Sequence, residues 1–341
     1  MKLNINQSQL LKLLEKDNYA CKNNLYKPGP YWDYKTKKIL YWLKKNGLEN
    51  FRGYSSGVGT SYTDNSILDI RNELGNKGRI ISSLLSLPLI NKIYNLQLEI
   101  TKNLLLENIE LKNNIYSNSE KIKYLINNYK IENSNHFGCL KKTRINNQEY
   151  STYYLNLMER IDNIYKIYDL KKINSIIEIG GGFGANIHLL LQNFPNIKKI
   201  IYIDIFPNIF IGTEYLKYFY KDAVKDYSNL AHKEEIKFNS KKNELEILCL
   251  PSWSIEKIRD KLDKFHNAAS FQEMTIAQIK NYKSILDNIL VNKTMSIIVY
   301  KGWEKNNTLS PKEINQVFNE KLKISEFDNF NNNEKLVYLT S

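Results

Sequence analysis

A strand-length apolar run that ends beside an acid and passes at once into a cluster of glycines restricts this chain more than any other feature. The run is Ser175–Ile179, and it continues as Glu178-Ile179-Gly180-Gly181-Gly182-Phe183-Gly184-Ala185. Glycine has no Cβ, so the backbone of such a turn can approach a ligand closely, and the helix beyond it offers free N–H groups at its first turn. A strand, a glycine turn and a helix in that order belong to a parallel sheet covered by helices. The rest of the second half repeats the alternation. Strands are expected at Lys199–Asp204, Leu245–Leu250, His266–Phe271 and Met295–Tyr300, and helices at Ala185–Gln192, Asn208–Tyr220, Ser254–Leu262 and Ile276–Leu290. Ser310-Pro311-Lys312-Glu313 is a helix start with Ser as N-cap and Pro behind it, and two β runs, Lys321–Phe327 and Lys335–Thr340, close the chain.

The first half reads as helical. Apolar residues recur at helical spacing over Gln9–Lys16, Tyr34–Lys45 and Pro88–Leu106. The division expected is therefore a helical N-terminal region, 1–150, serving as acceptor-recognition region or lid, and an α/β domain, 151–341. The loop from Arg52 to Asn65 carries glycines but no Gly-Lys-Ser/Thr, so it is not read as a phosphate loop.

The glycine turn fits two cofactors. Gly180-x-Gly182-x-x-Ala185 satisfies the dinucleotide pattern, and both a dinucleotide fold and a methyltransferase expect an acid after the next strand for the ribose, which Asp204 supplies. Glu178 separates them. Methyltransferases carry an acid two places before the first glycine, where it reaches the methionine portion of S-adenosylmethionine, and dinucleotide folds usually place a small or apolar residue there. After the fifth strand the chain closes with a helix and a β pair, as class I methyltransferases do with a reversed seventh strand. The fold expected is α/β, a Rossmann-like class I methyltransferase sheet of seven strands with the last antiparallel, preceded by an α-helical region. The cofactor expected is S-adenosylmethionine, with S-adenosylhomocysteine as product, held by Glu178, Gly180, Gly181, Gly182, Gly184, Asp204 and Ile205.

On the stretches Ile177 to Gly184, Tyr202-Ile203-Asp204-Ile205-Phe206-Pro207 and Asn267-Ala268-Ala269-Ser270-Phe271-Gln272-Glu273-Met274, the sequence resembles the sugar O-methyltransferases of bacterial surface-glycan and antibiotic clusters. The first two stretches occur in many methyltransferases, and the third is more particular to this group. The resemblance covers about half the chain, with weaker echoes in Arg52 to Arg71. It implies methyl transfer to a sugar hydroxyl, of a free, nucleotide-linked, phosphorylated or lipid-linked sugar, in the making of capsule or another surface polysaccharide.

In an open α/β sheet, ligands sit outside the carboxyl ends of the strands. The fourth strand should therefore deliver Ser270, Phe271, Gln272 and Glu273 to the cleft, the first two toward the cofactor and Gln272 toward the acceptor. Glu273 is the first candidate for the base that takes the hydroxyl proton, with His136 and His266 as rivals. A Glu that simply favours a helix start, or that binds the acceptor without taking its proton, is the alternative. Ser252 and Trp253, after the third strand, are expected beside the adenine, though Trp253 fits plain core packing equally. Arg52, Tyr54, Asp64 and Arg71 are candidates for binding the sugar or its phosphate. The Asn/Asp/Ser-Pro-Pro-Tyr/Phe motif of base-modifying enzymes is absent after the fourth strand. An amine- or carboxyl-methylating enzyme on a small molecule, or a cofactor-binding protein without turnover, remain the competing readings.

Net charge is +13, yet only six of the 49 basic residues are Arg, and Asn, Ile and Tyr are also abundant, as a biased codon supply produces. A field of this sign suits an anionic acceptor. With no basic block and no nucleic-acid motif, nucleic acid is not an expected partner, while a homo-oligomer is compatible with the sequence. No apolar run approaches the ~20 residues of a membrane span. The first residues lack the apolar stretch of a secretory signal, and three scattered cysteines, Cys21, Cys139 and Cys249, suggest neither disulfides nor zinc, so the expected setting is the cytoplasm. No His/Asp/Glu spacing announces a metal. Magnesium, which some sugar methyltransferases use, stays compatible with the chain. Calorimetric titration should give binding of S-adenosylhomocysteine and none of NADH; tight NADH binding would overturn the cofactor assignment.

Overall fold

The structure, a computed structural model, describes residues 3–49, 51–52, 87–94, 96–97, 100, 119–138, 142–301, 308–328 and 335–341. In chain order the helices are α1 (Ile5–Ala20), α2 (Pro30–Asn46), α3 (Glu120–Asn128), α4 (Thr152–Ile167), α5 (Ala185–Asn193), α6 (Asn208–Tyr220), α7 (Tyr227–Leu230), α8 (Ile276–Ile289) and α9 (Pro311–Val317). Residues 88–94 are helical as well. The strands are β1 (Lys142–Ile145), β2 (Gln148–Ser151), β3 (Ser175–Ile179), β4 (Lys199–Asp204), β5 (Val224–Lys225), β6 (Glu246–Pro251), β7 (Leu262–Ala268), β8 (Leu290–Tyr300), β9 (Lys323–Asp328) and β10 (Lys335–Thr340). The chain divides into two compact units: Lys37–Asn156 with the first three residues, and Asn4–Thr36 with Leu157–Ser341.

The larger unit is built on a sheet of eight strands in the order β5-β6-β4-β3-β7-β8-β10-β9. The neighbours from β5 through β8 are parallel, and β10 runs antiparallel to β8 and to β9. Without β5 this is the expected seven-stranded sheet with its last strand reversed. The count of seven is corrected to eight, because two residues, Val224 and Lys225, pair with Ile247 and Leu248 and extend the edge. A pair so short carries no periodicity that a sequence pattern could reveal.

Strands β3, β4 and β6 are buried along their whole length, as expected for a sheet covered on both faces. Alternate residues divide between the faces. Ile177, Ile179, Ile201, Ile203, Leu248 and Leu250 join Phe271, Tyr282 and Leu286 in one core. The opposite parity carries Glu178, which the register sets beside Tyr202 on one neighbour and His266 on the other. Capping boxes fix the helix starts: Asn4 with Gln7 on α1, Thr275 with Gln278 on α8, and Ser310 with Glu313 on α9, where Pro311 follows the cap.

Two expected elements are corrected. The helix expected over Ser254–Leu262 is a 3₁₀ segment, Ser252–Lys257. Extended pairing claims the residues at its end, with Ile236 N–H bonded to Lys257 O and Arg259 N–H to Ile236 O. The strand expected at His266–Phe271 starts earlier, at Leu262, and stops at Ala268. Ala269 adopts a left-handed φ of 65°, and the chain enters the 3₁₀ turn Ser270–Glu273.

In the smaller unit, the region read as helical includes a hairpin as well, β1–β2. Its two turn residues, Asn146 and Asn147, have φ of 50° and 63°, the geometry of a two-residue turn that asparagine tolerates. Among the described residues no helix is long and apolar enough to cross a membrane.

Tyr202 reaches from β4 beneath the glycine turn, where its hydroxyl donates to Gly182 O at 2.5 Å. Gly212 on α6 leaves room for it, since a Cβ there would stand 2.1 Å from the Tyr202 hydroxyl. Tyr202 is fully buried and has nowhere to move. Gly212→Ala should therefore destabilise the fold by about 1–3 kcal/mol in urea melts, despite the better helix propensity of alanine. A gain in stability would contradict this packing.

Candidate active site

Three carboxyl groups gather at the carboxyl ends of adjacent strands β4, β3 and β7. Glu178 lies in β3, Asp204 ends β4, and Glu273 ends the turn after β7. All three are buried. Glu178 Oε1 accepts from Asn186 Nδ2 at 2.7 Å, and Oε2 is buried with no hydrogen-bond partner among the described residues. Burial drives its pKa up to about 8 against the smaller opposing pull of the Asn186 amide. Asp204 accepts Gly182 N–H through Oδ2 and Ile205 N–H through Oδ1, each at 2.7 Å. Burial raises its pKa to about 7, and those backbone donors hold it from rising further. Ile205 thus meets the carboxylate through its backbone.

The glycine turn is shaped by its contacts. Gly180 has φ of 75°, and a Cβ there would fall 2.1 Å from Ser270 Oγ; one at Gly181 would fall 2.8 Å from Glu178 Oε2. Gly182, with φ of 64°, turns its N–H to Asp204. Gly184 occupies the N-cap of α5.

The expected wall residues come together, several of them with structural duties. Ser270 Oγ bonds Ile179 O at 3.1 Å, and Phe271 is packed between Phe265 and Tyr282. The Gln272 side chain exchanges two hydrogen bonds with the Tyr300 backbone, tying the turn to β8. Ser252 Oγ donates to Tyr26 O at 2.6 Å, and Trp253 Nε1 donates to Tyr227 Oη at 3.2 Å. His266 is buried beside Glu178, with Nδ1 3.0 Å from Ser296 Oγ and Nε2 3.9 Å from Glu178 Oε1. Burial, then the nearby cations Lys264 and Arg160, push its pKa down to about 3, so the ring is neutral at ordinary pH.

Glu273 is set differently. Trp32 Nε1 donates to its Oε2 at 2.6 Å, and no donor among the described residues is bonded to Oε1. Burial raises its pKa to about 7, opposed by the Trp32 bond and by the charge of Lys35. Trp32 and Lys35 do not stand out in the sequence. The only signal there is an aromatic and a lysine three residues apart on a helix, which spacing alone cannot tell from a solvated face.

The other candidates belong to the unit of Lys37–Asn156. Arg52 is fully buried there, donating to Ser134 O, His136 O and Ser151 Oγ, with its guanidinium over Tyr154. His136 has its pKa lowered to about 4, first by burial and then by Arg52. Tyr54, Asp64 and Arg71 lie outside the described residues. No cluster of His, Cys, Asp or Glu suited to a metal ion occurs among the described residues.

Residues 134–226 match the family model described as O-methyltransferase domain. Among solved structures, the chain is similar to the pyocyanin biosynthetic protein PhzM, at 11% identity over 55% of this chain and 57% of that one, with a TM-score of 0.35. It is similar also to the mitomycin 7-O-methyltransferase MmcR, at 12% identity over 56% and 55% with a TM-score of 0.37, and to human N-acetylserotonin methyltransferase, at 10% over 55% and 56% with a TM-score of 0.33. The chain thus spans little more than half the length of these structures. Comparison with curated protein sequences returns no match.

The likeness to an O-methyltransferase domain spans the glycine turn and Asp204, and the acids beside that turn can be weighed against S-adenosylmethionine. The residues fit the cofactor. Its ammonium and sulfonium groups are cationic, and the partnerless oxygen of Glu178 and the neighbouring acids are suited to positive charge. The anionic pyrophosphate of a dinucleotide would meet carboxyl groups instead.

A carboxyl with a pKa near 8 must lose its proton to pair with an ammonium group. The affinity for S-adenosylhomocysteine should therefore rise between pH 6 and 8, by up to about tenfold per pH unit, with proton release that varies with buffer ionisation enthalpy. Glu178→Gln should bind more weakly and lose this slope. An unchanged slope in that variant would assign the proton to another group.

Proposed function

We propose that the protein transfers a methyl group from S-adenosylmethionine to a hydroxyl of a sugar, with Glu273 as the base. The observation that carries this reading is the state of Glu273: a buried carboxyl at the end of the strand beside Glu178, with one oxygen held by an indole N–H and the other without a donor among the described residues. Bound S-adenosylmethionine supplies an activated methyl group on sulfonium. Glu178 and Asp204 would hold the amino-acid and ribose ends of the cofactor, and the turn Ser270–Glu273 would bring the carboxylate to the acceptor.

A hydroxyl is a poor nucleophile until its proton is taken, and a base works best with a pKa near the working pH. A group with a pKa near 7 satisfies that condition. His266 does not, because it is buried beside Glu178 and is a far weaker base. The sugar acceptor rests on the resemblance carried by Asn267 to Met274, and the net charge of +13 favours a nucleotide-linked or phosphorylated form. Synthesis of capsule or another surface polysaccharide is the corresponding setting.

The test uses methyl-labelled S-adenosylmethionine with a panel of nucleotide-linked and phosphorylated hexoses. With an accepted sugar, Glu273→Gln should lower kcat by ~10²–10⁴ while cofactor affinity barely changes. The wild-type rate should rise with pH through an ionisation near 7 that the variant lacks. Wild-type turnover by Glu273→Gln would remove the base assignment, and a raised acceptor KM with little loss of kcat would make Glu273 a binding residue.

A further inference from the structure

The segment Tyr26–Lys35, although remote in sequence, is fastened directly to the turn that bears Glu273. Gln278, at the start of α8, donates through Nε2 to Lys27 O at 2.8 Å, and its Oε1 accepts Thr275 N–H at 2.9 Å. Two residues further on, a Cβ at Gly29 would fall 2.6 Å from Glu273 O, so the backbone of the segment passes against the turn itself. Ser252 bonds Tyr26 O and anchors the other end. Helix α2 then begins and points the Trp32 indole at Glu273 Oε2, while Lys35, one turn later, lies with Nζ 5.4 Å from the centre of the Trp32 ring.

We propose that Trp32 is a positioning residue for methyl transfer, orienting the Glu273 carboxyl and stabilising its ionised form, with Lys35 supporting it electrostatically. This rests on the reading of Glu273 as proton acceptor. An indole N–H can donate but cannot accept, so it pins one carboxylate oxygen without competing for the proton that the other must take. A hydrogen bond to the charged form of an acid, or a nearby cation, favours ionisation against the cost of burial. The groups facing Glu273 divide by effect: Trp32 and Lys35 on α2 favour its charge against burial, while Asp204 on β4 is the neighbouring acid whose own ionisation Glu273 disfavours. Without the α2 pair, burial would hold Glu273 further toward its protonated form.

The experiment is a carbon-13 NMR titration of the Glu273 carboxyl in the full chain saturated with S-adenosylhomocysteine, its signal assigned by loss in Glu273→Gln. Trp32→Phe keeps a ring and removes the donor, and should raise the titration midpoint by about one pH unit. Lys35→Met should move it in the same direction by less, and Lys35→Arg should leave it unchanged. With an accepted sugar, Trp32→Phe should turn over roughly fivefold more slowly at pH 7 and recover above about pH 9, as a midpoint raised to that extent requires. An unmoved midpoint in both Trp32→Phe and Lys35→Met overturns the proposal, and so does a loss of rate that is equal at every pH. If Trp32→Phe fails to fold, Lys35→Met decides alone. Full turnover by Glu273→Gln would sink the base assignment instead, a result separable from the midpoints.

Discussion

Three acids held out of water at or just beyond the ends of adjacent strands set the terms for the rest of this structure. A carboxylate buried without a cation is costly, and Glu178, Asp204 and Glu273 respond as expected, with pKa values well above those of solvated acids. Nothing about a stable core calls for such a grouping. The sheet core is packed with Ile, Leu and Phe, and the acids occur at or just beyond the ends of its parallel strands. A ligand with positive charge relieves the electrostatic cost that the folded chain bears alone, so cofactor binding and the electrostatics of the fold are one problem.

The surrounding architecture keeps those groups fixed. Tyr202 props the glycine turn from below and depends on Gly212 for space. Asn186 on α5 fixes one oxygen of Glu178 and leaves the other toward the turn. Gln272 and Asn267 tie the turn after β7 to neighbouring backbone, so Glu273 is presented from a rigid base. The segment before α2 completes the arrangement from the opposite end of the chain. It belongs to the same compact unit as the sheet, and the Trp32 indole meets a carboxyl 241 residues away in sequence.

The two histidines illustrate how position decides chemistry. Both are candidate bases by residue type. His266 is enclosed in the sheet between Ser296 and Glu178, and burial keeps it neutral and weakly basic. His136 is depressed for a related reason, with Arg52 adding to the effect within the other unit. A carboxyl whose pKa rises and a histidine whose pKa falls respond to the same physical cause, since burial always disfavours the charged form.

Much of the α/β half is legible in the sequence because its signals are local. The alternation of buried strands and helices, the glycine turn, the acids at 178 and 204 and the capped start at Ser310 depend on residues only a few places apart. Where local pattern misleads, the cause is pairing with something distant or very short. Ile236 draws 257–259 into an extended bridge in place of a helix, the two-residue β5 has no period to read, and the Asn146-Asn147 hairpin lies in the half read as helical from periodic segments elsewhere in it. Among the site residues, the glycines and the acids are visible as types, whereas Arg52 reads as a candidate for binding the sugar, and only the structure shows its guanidinium buried against the Ser134 and His136 carbonyls. Trp32 and Lys35 are invisible for the same reason: nothing within their own helix distinguishes them. By itself the sequence determined that this chain builds a parallel sheet with a glycine turn at Gly180–Gly184. Only the tertiary structure decided which acid stands against an indole and which has an oxygen to spare, because burial and hydrogen bonding across hundreds of residues are set by packing, which no local pattern encodes.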